Sequence, residues 1–375
     1  MRQYDVAAYT WPSYHYEPRC EHFWPEKDGE WYTVRRGTPR FPGHDMPRIP
    51  LLGYQDEADP AVMRQHVELA MAHGINVFII DWYWYQNAPC FERQLNEGLI
   101  PALEGTDCKF YLMWANHDVD TLWNMHEDTD WSKPRETLWT GQVSRDVLEP
   151  MFERIVVKYM GHPNYYRLDN KPVFSFFDTG NLVAGLGGIE DSKDALAWMR
   201  ECVAANGLPG IDLQAIARLK AGGNEAGANL DEHVINKAAR TLGFDSATSY
   251  QFCMDGGSSG DYVTWASKAM SRWSDFEAAY GTYYPHVSIG WDNTHRNPSF
   301  GADHVVANAT PDSFEACLWK ARAWLEARPR QKPLLTINSW NEWTEGSYLL
   351  PDMRWGYRYL QAVRNVFGDG YGLRK

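Results

Sequence analysis

The strongest constraint on the fold is a regular alternation, along the whole chain, of short apolar runs with longer amphipathic runs. The apolar runs are rich in Val, Ile, Phe, Tyr and Thr, as buried parallel strands are. We count eight of them, each followed by a stretch with helical periodicity. The predicted strands are Tyr4–Tyr9, Ile75–Trp82, Lys109–Trp114, Pro172–Phe177, Ile211–Ile216, Ser246–Tyr250, His286–Gly290 and Leu334–Trp340.

Two of the amphipathic runs carry clear helix boundaries. Asp59 followed by Pro60 is a cap residue with proline in the first turn, and the run after it ends before Gly74. Asp312 and Glu315 have the spacing of a capping box, which predicts a second helix start. Further helices are predicted over residues 90–104, 145–160, 193–206, 231–240, 262–280 and 353–366.

Eight consecutive strand-then-helix units predict an α/β protein built as a single (β/α)8 TIM barrel over residues 1–375. Neither a Pro/Gly linker nor a low-complexity segment interrupts the series. The alternative is a doubly wound open sheet, which usually carries a glycine-rich turn after its first strand. Here the sequence after Tyr9 is Thr-Trp-Pro-Ser-Tyr-His, so the barrel is favoured.

The charge balance argues against polyanionic partners. The chain of 375 residues has 36 Lys and Arg against 49 Asp and Glu, a net charge of −13, and no run of basic residues. Binding to nucleic acid or to an anionic membrane surface needs clustered cations. We therefore expect neither partner.

Cysteine spacing and the amino terminus bear on cofactors and location. Six cysteines lie far apart, without metal-ligand spacing, which predicts reduced thiols and no metal or cofactor. The first residues lead directly into a strand, without an apolar signal-type region, and no run of about 18 apolar residues occurs. The expected location is cytoplasmic, or periplasmic or secreted if a leader has been removed.

Aromatic and polar side chains cluster where the predicted strands end, which is the active-site face of such barrels. With 18 Trp and 21 Tyr, the chain has more of these rings than a core requires. Ring faces beside carboxylates and amides suit a sugar, although any one Trp here could equally be core packing. The candidate substrate-binding residues are Tyr9, Trp11, Asp81, Trp82, Trp84, Trp114, Asn116, Tyr250, Trp291, Asp292, Trp340 and Asn341.

The sharpest motif follows the eighth strand. Glu342 and Glu345 lie three residues apart among tryptophans, so a turn could bring both carboxylates into one small volume. Glycoside cleavage needs two such groups, one as acid and one as base or nucleophile. The alternative is a helix start with acids in its first turn. Asp81 and Asp178 have plainer interpretations: Asp81 could orient a neighbouring Arg or Tyr, and Asp178 could cap a loop.

At these residues the sequence resembles glycoside hydrolase family 99, the endo-α-mannosidase family, and its WbsX-like relatives, often labelled glycosyltransferases. The segments that carry the resemblance extend from about Tyr4 to Tyr357. They are Pro42-Gly43-His44, Gly74-Ile75, Asp81-Trp82-Tyr83-Trp84, Trp114-Ala115-Asn116, His162-Pro163-Asn164-Tyr165, Lys171-Pro172-Val173, Gly290-Trp291-Asp292-Asn293-Thr294-x-Arg296 and Trp340-Asn341-Glu342-Trp343-x-Glu345-Gly346.

The resemblance implies a barrel that hydrolyses α-linked sugars with retention and without metal. Glu345 would be general acid and then base, and Glu342 would deprotonate the 2-hydroxyl of the sugar to give a 1,2-anhydro intermediate. This route suits α-mannosides or α-rhamnosides in an oligosaccharide or polysaccharide. Reasoning from the residues alone leaves Glu342 as either nucleophile or base. The mannosidase branch has His where this chain has Thr344, which puts mannose itself in question.

His44 and Arg296 join the candidate substrate-binding residues through these motifs. Arg296 could recognise an acidic or sulfated sugar, or pair with Asp292. We interpret His44, and likewise His117 and His295, as hydrogen-bonded strand-end histidines rather than metal ligands.

Two other functions remain open. A glycosyltransferase would use a D-x-D motif to hold a metal-bound diphosphate, and such motifs occur at Asp118–Asp120 and Asp128–Asp130. A barrel that only binds carbohydrate would keep the rings and lose the acids, whereas Glu342 and Glu345 are both present.

Overall fold

The computed structural model describes residues 3–123, 133–219 and 232–368, with side chains of the last range from residue 236 onward. Eight parallel strands form its centre, close to the predicted runs. They are β1 Asp5–Thr10, β2 Val77–Tyr85, β3 Lys109–Trp114, β4 Lys171–Phe176, β5 Asp212–Ile216, β6 Ser246–Thr248, β7 His286–Ser288 and β8 Leu334–Asn338. Strand β2 is longer than predicted because its end turns back and pairs with Ala88–Cys90.

The strands form a ring in the order β6-β5-β4-β3-β2-β1-β8-β7. The first and last strands pair in parallel, with Asp5 opposite Leu334. Between β6 and β7 the ring closes through the segment that precedes β7: Ala247 N donates to Thr282 O at 2.9 Å, and Tyr284 N donates to Ala247 O at 2.8 Å. The predicted (β/α)8 barrel is confirmed.

The barrel interior is filled and hydrogen-bonded. Thr248 and Thr336 join their hydroxyl groups at 2.7 Å across the lumen, and His286 Nδ1 lies 2.9 Å from the same Thr336 hydroxyl. Higher in the barrel, Tyr9 donates its hydroxyl to the Ser249 carbonyl at 3.1 Å. All four side chains are buried. The barrel interior is therefore closely packed, which leaves the carboxyl ends of the strands as the place where a ligand can bind.

Helices surround the barrel: Trp31–Arg35, Pro60–Ala72, Gln94–Leu99 continued by Ile100–Ala102, Arg145–Ile155 continued by Val156–Met160, Thr179–Gly185, Ile189–Ala205, Glu232–Thr241, Cys253–Gly256, Tyr262–Met270, Trp273–Tyr280, Pro311–Glu326 and Arg358–Phe367. The predicted Asp59 cap is confirmed, since its carboxylate accepts from Ala61 N at 2.8 Å. The predicted Asp312 capping box is wrong: Pro311 occupies the first turn, and Thr310 and Ser313 form the box.

Short elements decorate the connecting loops. Paired strands occur at Val119–Asp120 with Thr137–Trp139, Gly260–Asp261 with Val306–Ala307, and Asn341–Glu342 with Ser347–Tyr348. Arg167–Leu168 pairs antiparallel with the first residues of β4. Single 3-10 turns lie at Pro18–Cys20, Thr121–Trp123, Ala302–His304 and Trp343–Glu345.

All six cysteines are free, as their spacing predicted, and all six are buried. Among the described residues, no helix combines the length and the apolarity needed to cross a bilayer.

Candidate active site

The motif after β8 folds into a tight turn at the mouth of the barrel. Asn341–Glu342 pairs with Ser347–Tyr348, and the 3-10 turn Trp343–Glu345 lies between the two short strands. Gly346 ends this turn with φ +62°, where a Cβ atom would lie 2.9 Å from the Asp292 Cβ atom. Glycine is required here for both reasons. The turn brings Glu342 and Glu345 to the same side of the chain.

A single guanidinium joins the two carboxylates. Arg296 donates from Nη2 to Glu342 Oε1 and from Nη1 to Glu345 Oε1, each at 2.7 Å. Its Nε atom lies 3.5 Å from a third carboxylate, Glu30 Oε1. Glu342, Glu345 and Glu30 are only 2%, 9% and 4% exposed. Three buried carboxylates thus surround one cation whose side chain is 13% exposed.

This arrangement raises the affinity of the carboxylates for protons. Burial raises the pKa of Glu342 well above its ordinary value, and the neighbouring Glu345 charge adds to the effect. Burial likewise raises the pKa values of Glu345 and Glu30, although the Arg296 charge opposes it in both. With one positive charge for three carboxylates, the cluster binds protons more tightly than free glutamates do.

A pocket of about 100 Å³ opens beside this cluster. Seven of the sequence-predicted site residues line it: Glu342, Glu345, Trp11, Asp81, Tyr250, Trp291 and Arg296. Asp81 accepts a hydrogen bond from the Tyr250 hydroxyl at 2.8 Å, and burial raises the pKa of Asp81 well above its ordinary value. The pocket therefore combines a carboxyl pair, a further buried carboxyl and aromatic walls.

Strand alternation removes two predicted tryptophans from the pocket. On β2, Asp81 and Tyr83 line the pocket, so the residues between and after them face the surrounding helices. Trp82 accordingly donates to Glu92 at 2.8 Å and stacks on Trp84.

Five other predicted residues lie behind the pocket as structural supports. Tyr9, Trp114 and Trp340 are fully buried rings of the core. The Asn116 amide holds the Asp178 backbone at both N and O, at 2.7 Å each. The Asn341 amide clamps Trp11 in the same way, at 2.8 Å, which ties the end of β8 to the end of β1.

His44 and Asp292 line a second cavity of about 330 Å³ on the other side of Trp291. Asp292 is fully hydrogen-bonded: Arg48 donates at 2.6 Å, His44 lies at 2.9 Å, and Thr294 donates from both its backbone and its hydroxyl. Burial alone would raise the pKa of Asp292, but the Arg48 charge and the His44 contact hold it far below its ordinary value. This carboxylate fixes the loop 41–48, and Arg296 does not pair with it.

Sequence reasoning missed several residues of the pocket. Tyr83, His117, Trp123, Phe177 and Asn293 line it without having been singled out as ligands. The period of two on β2 could have identified Tyr83 from Asp81. Glu30 had no signal, because it lies in an irregular loop that only the tertiary fold brings to Arg296.

Both carboxylates of the D-x-D motif at Asp118–Asp120 accept hydrogen bonds from the backbone of their own or a neighbouring loop. Asp118 accepts from Gly141 N at 2.8 Å, and Asp120 accepts from Leu122 N at 2.8 Å. Asp128–Asp130 lies outside the described residues. Within the ranges that the structure describes, no group of three or more His, Cys, Asp or Glu side chains is placed to hold a metal ion.

Solved structures share the fold of this barrel. One is a glycoside hydrolase-like protein, with a TM-score of 0.61, 17% identity, and 98% of this chain and 94% of that chain covered. Another is the family 99 endo-α-mannosidase of Bacteroides thetaiotaomicron in complex with bis-tris propane, with a TM-score of 0.60, 16% identity, and 99% and 98% covered. The fold is therefore that of a glycoside hydrolase-like (β/α)8 barrel.

Residues 6–363 match the sequence model described as Glycosyltransferase WbsX, and the chain belongs to the WbsX family. It is also similar to WxcX of Xanthomonas campestris pv. campestris, described as an uncharacterized protein, at 28% identity over 378 residues in two strains. The match covers 96% of this chain and 49% of WxcX, so the chain spans about half the length of the curated relatives it matches.

Proposed function

We propose that the protein is a retaining α-glycoside hydrolase that uses Glu345 and Glu342 on α-linked mannose- or rhamnose-type glycans. The observation that carries the proposal is the pair of 2.7 Å contacts from one guanidinium to both carboxylates at the carboxyl end of β8. Glycosidases require two carboxyl groups at one anomeric carbon. Aromatic rings and Asp81 on the pocket wall supply the stacking faces and polar atoms that a sugar needs.

Glu345 is the proposed general acid and then base. It is the more exposed of the pair, and burial still raises its pKa, which favours the protonated form that a general acid needs in order to protonate a departing oxygen. Arg296 donates to its Oε1, which leaves Oε2 as the atom that transfers the proton.

Glu342 is the proposed partner on the other side of the anomeric carbon. Either it attacks that carbon as nucleophile, or it accepts the proton of the 2-hydroxyl, which then closes a 1,2-anhydro sugar. In both cases Glu342 must be ionised when the reaction begins. The Arg296 Nη2 contact favours this form, whereas burial and the Glu345 charge oppose it and raise the pKa of Glu342 well above its ordinary value. The proposal therefore requires the proton that the pair shares to lie on Glu345.

A substrate panel tests the activity directly. The protein is incubated with α-mannosides, α-rhamnosides and bacterial polysaccharides, and proton NMR follows the anomer that forms first. Glu345→Gln and Glu342→Gln should keep the fold and lower the rate by about 10²–10⁴-fold. Glu201→Gln, an exposed change on an outer helix, is the matched control and should keep the full rate. Full turnover by both site variants, or an inverted first product, would refute the assignment.

A glycosyltransferase is the second candidate, favoured by the description of the matching family. It would bind a nucleotide sugar, and a metal-dependent form would need ligands at the pocket, whose lining includes Asp118 and Asp120 of the D-x-D motif. Thermal-shift measurements with nucleotide sugars, with and without Mg²⁺ or Mn²⁺, separate the two functions. A large metal-dependent shift would favour the transferase.

A further inference from the structure

Glu30 is a buried carboxylate that the roles above do not use. It lies in the loop between β1 and the helix Trp31–Arg35, and its backbone N donates to Ser13 O at 3.1 Å. Gly29 before it has φ +65° and packs so tightly that a Cβ atom would overlap the Ser13 carbonyl. The position of Glu30 is therefore fixed by its own loop.

Three contacts join Glu30 to the candidate active site. Its Oε2 accepts from Trp11 Nε1 at 2.6 Å, and its Oε1 accepts from the Thr344 hydroxyl at 3.1 Å. The same Oε1 lies 3.5 Å from Arg296 Nε. Thr344 stands within the turn that presents both Glu342 and Glu345, and Trp11 is part of the pocket wall. One side chain thus holds the ring, the turn and the guanidinium.

We propose that Glu30 is a positioning residue that sets the protonation of the Glu342–Glu345 pair through Arg296 and Thr344. Its contact at Nε orients the guanidinium so that Nη1 and Nη2 each hold one carboxylate. Its negative charge competes with the pair for the single cation, so the pair keeps a proton that Arg296 would otherwise displace. The inference rests on the proposed function for its consequence in catalysis.

The charged neighbours determine the sign of the effect. Glu30 faces Arg296, Glu342, Glu345 and the Tyr14 hydroxyl. Burial raises the pKa of Glu30 itself, whereas Arg296, Trp11 and Thr344 favour its ionised form. In that form its charge raises the pKa values of Glu342 and Glu345. Removing that charge while keeping the shape therefore lowers both pKa values. Both limbs of the pH–rate profile should then move to lower pH, because the acid loses its proton at lower pH and so does the base.

Glu30→Gln tests the inference, with Glu57→Gln as matched control. Glu57 is also a buried carboxyl near the residues that follow β8. It accepts hydrogen bonds from the side chains of Asn341 and Gln94 and does not contact Arg296. Burial raises the pKa of Glu57 to about 8, so glutamine resembles its protonated form at neutral pH. Glu30→Asp keeps the charge and shortens the reach, which separates charge from geometry.

Carbon-13 NMR titration of glutamate side-chain carboxyls gives a readout that needs no substrate. Signals of Glu342 and Glu345 are assigned by their glutamine variants. In Glu30→Gln their midpoints should fall by at least about one pH unit, a tenfold change in acid dissociation, whereas Glu57→Gln should leave them in place. Glu30→Asp should keep midpoints near those of the wild type and lower kcat. If Glu30→Gln does not fold, wild-type midpoints and wild-type kcat in Glu30→Asp overturn the positioning role.

The two proposals fail in different ways. Turnover by the wild type combined with unchanged carboxyl midpoints in Glu30→Gln would refute the role of Glu30 and leave the hydrolase proposal standing. Shifted midpoints in a protein that cleaves no glycan would support the role of Glu30 and refute the hydrolase proposal. A rate loss that is equal at every pH would identify Glu30 as merely structural.

Discussion

Replacing Arg296 by Met removes the cation that three buried carboxylates share. The variant Arg296→Met keeps much of the side-chain volume and leaves Glu30, Glu342 and Glu345 without a counter-charge. Their repulsion and burial must then be relieved by uptake of about one additional proton, since one positive charge has been lost. The stability cost of this variant is therefore a cost of protonation and must depend on pH.

The magnitude follows from the ordinary pKa of a glutamate in the unfolded chain, about 4.3. Holding one extra proton costs about 1.4 kcal/mol for each pH unit above that value, hence about 1 kcal/mol near pH 5 and about 5 kcal/mol near pH 8. The second figure agrees with the roughly 3–5 kcal/mol observed when one partner of a buried ion pair is removed.

The direction of this pH dependence agrees with the contacts of Arg296. The Arg296 charge lowers the pKa values of all three carboxylates, so the stability that it contributes is present at high pH and is lost as pH falls. Urea unfolding of the wild type and Arg296→Met near pH 5 and pH 8 measures the difference.

Arg358→Met is the matched control for this prediction. Arg358 pairs with Asp312 at 2.9 Å, but both side chains are largely exposed. Its loss should cost less than about 1 kcal/mol at either pH. If the destabilisation by Arg296→Met changes by less than about 2 kcal/mol between the two pH values, the description of the cluster as charge-compensated by Arg296 is incorrect.

Three further predictions concern the surroundings of the pair. Gly346→Ala should destabilise the protein by more than about 1 kcal/mol in urea unfolding, because its Cβ atom would lie 2.9 Å from Asp292 Cβ and the residue has a positive φ. An unchanged unfolding midpoint would contradict the tight turn. Asp292→Asn should destabilise the protein by a constant amount above about pH 4 and by progressively less as the pH falls below that value, since Arg48 keeps this carboxylate ionised far into acid. Thermal unfolding across pH measures this, and a pH-independent loss would argue against it. Tyr250→Phe should cost about 1–3 kcal/mol, because buried Asp81 loses its hydrogen-bond donor, and a loss below about 0.5 kcal/mol in urea unfolding would refute that role.

Candidate site residues could be predicted where their place at the carboxyl end of a strand is enough to bring them to the pocket. Asp81 and Tyr250 were found in this way, and both line the pocket. Trp82 and Trp84 show the limit of this argument, because alternate side chains at a strand end face opposite sides and only one side forms the pocket. Asn341 shows another limit: its amide faces Trp11 and Glu57, a pairing across more than 280 residues that spacing does not reveal.

The sequence by itself determined the eight strands, most of the helices and the closeness of Glu342 to Glu345, because hydrophobic periodicity, caps and short spacings are local properties of the chain. The tertiary structure alone decided what surrounds that pair. Arg296 had two expected partners, a charged sugar or Asp292 four residues before it, and the fold instead joins it to carboxylates 46 and 49 residues away. Glu30 reaches the same guanidinium from the loop after β1. Those contacts depend on the paths that the long loops take across the barrel mouth and on the energetic need to compensate buried charge. Neither is encoded in any local sequence pattern.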